Sequence, residues 1–187
     1  MYLVWSDLLI YLLDQRNRKS FMSLDQTKFW EFIENDDLES IAICIENGMD
    51  VNELMPIAKP NWQPFFPLFY SIMKKKERIS LFLIESGADV HFINSHGDSA
   101  AQFACFHNQV ETLKVLIDKK APLNQPNLKC FGLPVGDAIR AGNVEAVKLI
   151  SPHLDRSTLE WALNSAENQF QNDEIVNALK NAIEKQQ

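Results

Sequence analysis

Three heptapeptides in this chain are variants of one another: ENGMDVN ending at Asn52, ESGADVH ending at His91 and DKKAPLN ending at Asn124. The last two lie 33 residues apart and the first two 39. The apolar spacing ahead of each is shared as well, in LESIAICIENG, RISLFLIESG and VETLKVLIDKK. A fourth copy, GNVEAVKLIS from Gly142 to Ser151, continues the series, with Leu116 and Leu149 again 33 apart. Self-similarity at a period of roughly 20–50 residues marks an array of small units. A unit that short cannot bury its own apolar stripe, so neighbours must stack into one continuous interior. Ile79, Phe82, Leu83 and Ile84 recur at helical spacing, and Val110, Leu113, Val115, Leu116 and Ile117 repeat the pattern. Such stripes read as core rather than as a cofactor box.

The repeated unit resembles an ankyrin repeat, whose pattern is similar to TPLHxAxxxGxxxxVxxLLxxGADVN. The matching stretches are FPLFYSIMKKKERISLFLIESGADV from Phe66, SAAQFACFHNQVETLKVLIDKKAPL from Ser99, LPVGDAIRAGNVEAVKLIS from Leu133 and a degenerate first copy, TKFWEFIENDDLESIAICIENGMDV, from Thr27. The resemblance covers about 27 to 155, with a looser copy after it. It implies an all-α solenoid of about five stacked helix–turn–helix units that docks a folded protein on its concave face. Two departures carry expectations. The His that follows Pro-Leu in the pattern is Phe69, Gln102 and Gly136 here, so the helix-capping hydrogen bonds to the turn should be missing. The Gly that precedes the finger is Lys120 in the third copy, where a left-handed residue without Gly costs on the order of 1 kcal/mol.

The organisation expected is an N-terminal helix and linker over 1–26, repeat units 1–4 over 27–155 with an insertion loop at 53–65, and a capping helical unit over 156–187. Leu3, Val4, Leu8, Leu9, Leu12 and Leu13 could pack as a helix over unit one; the rival is a working start at Met22 with the first 21 residues loosely attached. In the last unit, STLEWALNSAEN and DEIVNALKNAIEK read as helices with Asn164, Gln171, Asn177, Lys180 and Asn181 on polar faces. Ser157 with Glu160 three residues on has the capping-box spacing.

On the concave face, the first helix of each unit ends in two outward residues: Glu34 and Asn35, Met73 and Lys74, Phe106 and His107, Arg140 and Ala141. Phe and Met beside Arg, Lys and His have the composition of an interface. The long first interval holds Trp62, Phe65 and Phe66 among Pro56, Pro60, Pro64 and Pro67. A proline-stiffened loop loses less entropy on binding, which makes Trp62 the first anchor to test, followed by Phe65. The finger residues His91, Phe92 and His96 complete the partner-binding set together with Asp36. From Thr27 to Phe65 there are 8 acidic and 2 basic residues, most of the net charge of −7. That end either keeps the array soluble or steers a basic partner. Lys74, Lys75, Lys76 and Arg78 form an opposite patch that reads as a solvated helix–turn junction.

An acidic chain is a poor nucleic-acid ligand, since counterion release works against it. Cys44, Cys105 and Cys130 are far apart with no CxxC spacing, which suits a reducing compartment. No apolar run reaches the ~18 residues of a membrane span, and the N-terminal stretch has no signal-peptide charge order; a cytoplasmic location follows. There is no P-loop, GxGxxG or GxSxG, and no zinc-ligand spacing, so neither cofactor nor metal is implied. A small hydrolase would use Cys105 with His107, or Asp89 with His91, and Cys105 falls on an inward stripe where a thiol is inert. The sequence thus reads as a non-enzymatic protein-binding module, a monomer in the first instance. Among small, diverged ankyrin proteins it is similar to bacterial ones, which include immunity proteins that neutralise a cognate toxin; an effector or adaptor engaging another folded protein is the alternative.

Overall fold

The computed structural model describes residues 26–54, 66–94, 96–124, 132–170 and 172–186. Among the described residues ten α-helices run in order: α1 (Gln26–Glu34), α2 (Leu38–Glu46), α3 (Pro67–Met73), α4 (Glu77–Glu85), α5 (Ala100–His107), α6 (Val110–Asp118), α7 (Pro134–Arg140), α8 (Val144–Ile150), α9 (Arg156–Ser165) and α10 (Asp173–Glu184). They form five consecutive hairpins, and no β-strand occurs among the described residues; a single antiparallel bridge between Ile93 and Ser99 closes the second finger. The fold is the all-α repeat array that the periodicity demands. No helix among the described residues is long and apolar enough to cross a membrane. The expected helix at 1–13 lies outside the described residues, as do Trp62, Phe65 and most of the insertion.

Each of the first four hairpins reverses within two or three residues, and a left-handed residue makes that reversal possible. Asp36 (φ 60°), Lys75 (φ 58°), Asn108 (φ 54°) and Gly142 (φ 71°) occupy it in the four units. A second left-handed position ends the outer helix: Gly48 (φ 93°), Gly87 (φ 96°) and, as expected from the repeat register, Lys120 (φ 59°).

One hydrophobic interior threads the stack. Phe29, Ile33, Ile41, Leu68, Ile79, Leu83, Leu113, Leu116, Val135, Val147, Leu159, Ile175 and Leu179 all contribute fully buried side chains. Of the sequence-read stripe, Ile79, Leu83, Ile84, Leu113 and Leu116 are buried, while Phe82, Val115 and Ile117 pack on the core partly exposed. The inner helices α3, α5 and α7 approach one another more closely than the outer helices α4, α6 and α8. Ala100, Ala101 and Ala104, all fully buried small residues of α5, leave room for that approach. Closer spacing on one side curves the array toward its inner helices.

Neighbouring units are also tied by polar side chains that answer backbone groups left over at helix ends. Gln109 Nε2 donates to the Ile72 carbonyl (3.0 Å), and Asn143 Nδ2 donates to the carbonyls of Cys105 (2.7 Å) and Phe106 (2.9 Å). Glu77 Oε1 accepts from the amides of Glu111 (2.9 Å) and Thr112 (3.1 Å) at the start of α6. Among the described residues no buried side-chain nitrogen or oxygen lacks a partner.

Two capping expectations need correction. In unit three the turn is capped after all: Ser99 Oγ accepts from the Gln102 amide, and Gln102 Oε1 accepts from the Ser99 amide. Gln102 Nε2 then donates to the Gly132 carbonyl of the next unit (2.9 Å). Gln carries both an acceptor and a donor on one amide, so it supplies the bonds that a missing His seemed to remove. At the start of α9 the cap is Asp155, not Ser157: Asp155 Oδ1 accepts from the Thr158 amide (2.7 Å), and Glu160 pairs instead with Arg156. Aspartate two residues earlier places its carboxylate over the open amides of the first turn, leaving Ser157 inside the helix.

Candidate partner-binding face

Aligning the units on their left-handed turn residues sorts the inner helices into columns. Two residues before the turn stand Glu34, Met73, Phe106 and Arg140; one helical turn further back stand Glu31, Tyr70, Phe103 and Asp137. Residues three apart on a helix share a face, so these columns lie side by side along the inner helices, with Tyr70 buried and the others partly or fully exposed.

The first column runs from acidic to aromatic to basic. Glu34 accepts from the Tyr70 hydroxyl and pairs with Lys74 at 3.0 Å, while the Lys74 ammonium sits 5.1 Å from the centre of the Tyr70 ring. Glu34 is therefore held inside a contact between units one and two, and Tyr70, buried and hydrogen-bonded to a carboxylate, has its ionisation pushed far up. Asp36, by contrast, is exposed on its turn. Phe106 exposes 46% of its surface at the middle of the column, with the His107 ring edge-on 5.1 Å away. Burial, and then the nearby Lys75 charge, holds His107 below the ordinary histidine range. Met73 is half-buried beside it and Arg140 is exposed, bonded to Asp137 on its own helix.

Asp137 gives the second column a polar centre. Its side chain is only 14% exposed, and burial pushes its carboxyl above the usual range, opposed by Arg140 and reinforced by Asp98 of the second finger. Phe103 lies partly buried one unit earlier, its ring 5.4 Å from that of Phe69. Trp161 lies one unit later. Its Ala162 occupies the register of Ala104 and Ala138, which puts Trp161 in line with Phe103 and Asp137. The indole lies against Gly136, where a Cβ would stand 2.8 Å from Cη2, yet Trp161 remains 44% exposed. Neither Trp161 nor Phe103 was in the sequence-derived set. The usable signal was the glycine at 136, a hole in a helix face opposite the one tryptophan of the last unit.

The finger residues form a separate group. Asn52 links the first two fingers, donating from Nδ2 to the Gly87 carbonyl (3.0 Å) and accepting from the Asp89 amide (2.7 Å). Asp89 Oδ1 accepts from the His91 amide (2.8 Å), leaving the His91 side chain exposed. Phe92 packs into a ring cluster, 4.0 Å from Phe66 and 5.8 Å from Phe69 between centroids. His96 sits 4.0 Å from Asp98, with its amide bonded to Asn94. The structure thus gathers Met73, Lys74, Phe106, His107 and Arg140 on one rim with Glu34 and Asp36 at its end, and holds His91, Phe92 and His96 apart on the fingers.

Of the two pairings considered for hydrolysis, one has a buried thiol and the other a carboxylate that serves a turn. The Cys105 thiol is fully buried, which raises its ionisation well above the ordinary range, while His107 stands on the rim. Asp89 spends an oxygen on a turn. Among the described residues no three His, Cys, Asp or Glu side chains converge on a common point.

The family model for ankyrin repeats (3 copies) matches residues 68–159, from the inner helix of unit two into the last hairpin. No curated protein matches the chain. The matched span contains Met73, Tyr70, Phe103, Phe106, Asp137 and Arg140, while Glu31 and Glu34 precede it and Trp161 follows it. Ankyrin arrays are protein–protein interaction modules, and with that match the chain belongs to the ankyrin-repeat family.

Proposed function

We propose that this chain is a non-catalytic binding protein that holds a folded partner against its inner-helix face, with Phe106 at the centre of the contact. The observation that carries this reading is the exposure of Phe106, 46%, midway along a row of Met73, His107 and Arg140, with Trp161 beyond it. Large aromatic side chains left open on a rigid scaffold are what interface anchors look like. The scaffold is preorganised, because hydrogen bonds from Gln102, Gln109 and Asn143 tie neighbouring units together before any partner arrives, which lowers the cost of association.

The exposed carboxylates of the first unit, among them Glu31, Asp36, Glu39 and Glu46, favour a basic partner through electrostatic steering. An immunity-type role, occluding a basic toxin such as a nuclease, fits this surface better than an adaptor role, since occlusion needs only one rigid face of opposite charge. The test is to purify the product of the neighbouring gene and titrate it into the chain by calorimetry. Phe106→Ala should weaken association at least tenfold, about 1.4 kcal/mol, with Cys105→Ala binding as the parent does. Parental affinity in both Phe106→Ala and Trp161→Ala would remove the inner face from the interface.

A further inference from the structure

Between the first and second fingers lies a cavity of about 260 Å³, lined among the described residues by Asn52, Phe66, Phe69, Asp89 and Phe92 together with aliphatic neighbours. Its size is informative: ligand pockets for whole small molecules run to roughly 300–1,000 Å³, so this notch suits one long side chain. Its chemistry is informative too. The walls are rings: Phe66 and Phe92 are 4.0 Å apart between centroids, and Phe69 lies 6.2 Å from Phe66 and 5.8 Å from Phe92. A carboxylate, Asp89, lines the same cavity and is exposed. One of its oxygens accepts from the His91 amide, and no described cation pairs with it. Asp50 stands on the adjoining finger, and neither finger, from Gly48 to Leu54 or from Gly87 to Phe92, contains a lysine or arginine.

Aromatic walls with an unneutralised carboxylate match one class of side chain. A guanidinium stacks on ring faces and forks two donors onto a carboxylate, while its aliphatic stem covers apolar surface. We infer that this notch takes an arginine side chain of the partner. The inference rests on the reading that the chain binds a basic protein and adds to it a second contact, away from Phe106. An aliphatic residue would leave Asp89 desolvated and unpaired, and an acidic residue would meet it with like charge.

The test uses the full chain, isotopically labelled, titrated by NMR with N-acetyl-arginine amide and, separately, with the leucine and glutamate amides. The arginine derivative should bind at millimolar concentration, shifting the Phe66 and Phe92 ring signals and the Asn52 and Asp89 amides. The leucine derivative should bind at least fivefold more weakly and the glutamate derivative not at all. Asp89→Asn should weaken arginine binding at least fivefold; the Asn side chain keeps an acceptor for the His91 amide, so the finger stays folded. Equal binding of leucine and arginine, arginine shifts confined to other residues, or no shifts because the chain's own 55–65 segment fills the notch would each overturn the inference. Phe106→Ala should leave the arginine titration unchanged. Against the partner itself, parental affinity in Asp89→Asn alongside a loss in Phe106→Ala would defeat the notch and leave the inner face standing. Loss in Asp89→Asn alone would do the reverse.

Discussion

The junction between units two and three and the junction between units three and four solve the same problem with opposite chemistry. At the same repeat position, Phe69 fills the first with an aromatic cluster, its ring against Phe92 and 5.4 Å from Phe103. Gln102 fills the second with hydrogen bonds, closing a reciprocal cap with Ser99 and reaching the Gly132 carbonyl. Gly136, one unit on, leaves the position empty and lets Trp161 of the last unit lean in. The position therefore does not require one residue type. It requires that the gap between a turn and the next helix be filled and that neighbouring units touch there. Bulk, hydrogen bonds or a side chain from elsewhere each meet that need, but their energetics differ, because an apolar cluster loses stability by cavity formation and a polar one by stranding its partners.

Phe69→Ala should be the costlier break. Phe69 is 2% exposed and touches three other rings, so its removal leaves a cavity at the centre of the stack. About 3–5 kcal/mol should be lost in urea unfolding of the full chain. Gln102→Ala should cost less, about 2–3 kcal/mol, because it strands the buried Ser99 amide and the Gly132 carbonyl without opening a comparable void. The two variants also differ in what rescues them. Phe69→Leu should recover most of the lost stability, whereas Gln102→Leu should recover little, since volume is not what Gln102 supplies. Equal rescue at both positions would show that the junctions are held by packing alone.

That contrast also marks where the sequence was readable. Apolar stripes such as Ile79–Leu83 and Leu113–Leu116 were legible because burial in a helix imposes a period, and a period survives divergence. Gln102 was misread because the resemblance supplied an expected His, and any other residue looked like a lost bond. The donor–acceptor inventory of an amide says otherwise once a serine stands three residues before it. Ser157 was the converse error: the right spacing was present, but Asp155 is closer to the chain reversal. On the candidate face, Met73, Phe106 and Arg140 followed from counting back from each turn. Trp161 escaped because the last hairpin was read for its polar face, while the residue's exposure depends on Gly136, 25 positions away. Contacts of that kind are set by tertiary packing and leave no local pattern.

The smallest expected effect compares units two and three at the ends of their outer helices. Gly87 and Lys120 hold equivalent left-handed positions at φ 96° and 59°. A side chain on Gly87 would meet no heavy atom within 4 Å, so any cost of Gly87→Ala is backbone strain rather than a clash. Lys120 already bears such strain, its amide bonded to the Ile117 carbonyl (2.9 Å) and its side chain exposed. Lys120→Gly should therefore stabilise the chain and Gly87→Ala destabilise it, each by about 1 kcal/mol, or roughly 2–4 °C in Tm. The gain from Lys120→Gly is tempered by the freedom glycine adds to the unfolded chain, so the loss at Gly87 should be the larger of the two. Should thermal unfolding show Lys120→Gly losing stability, the lysine must be anchoring the third finger through its stem, and its retention in place of glycine would then reflect packing rather than tolerated strain.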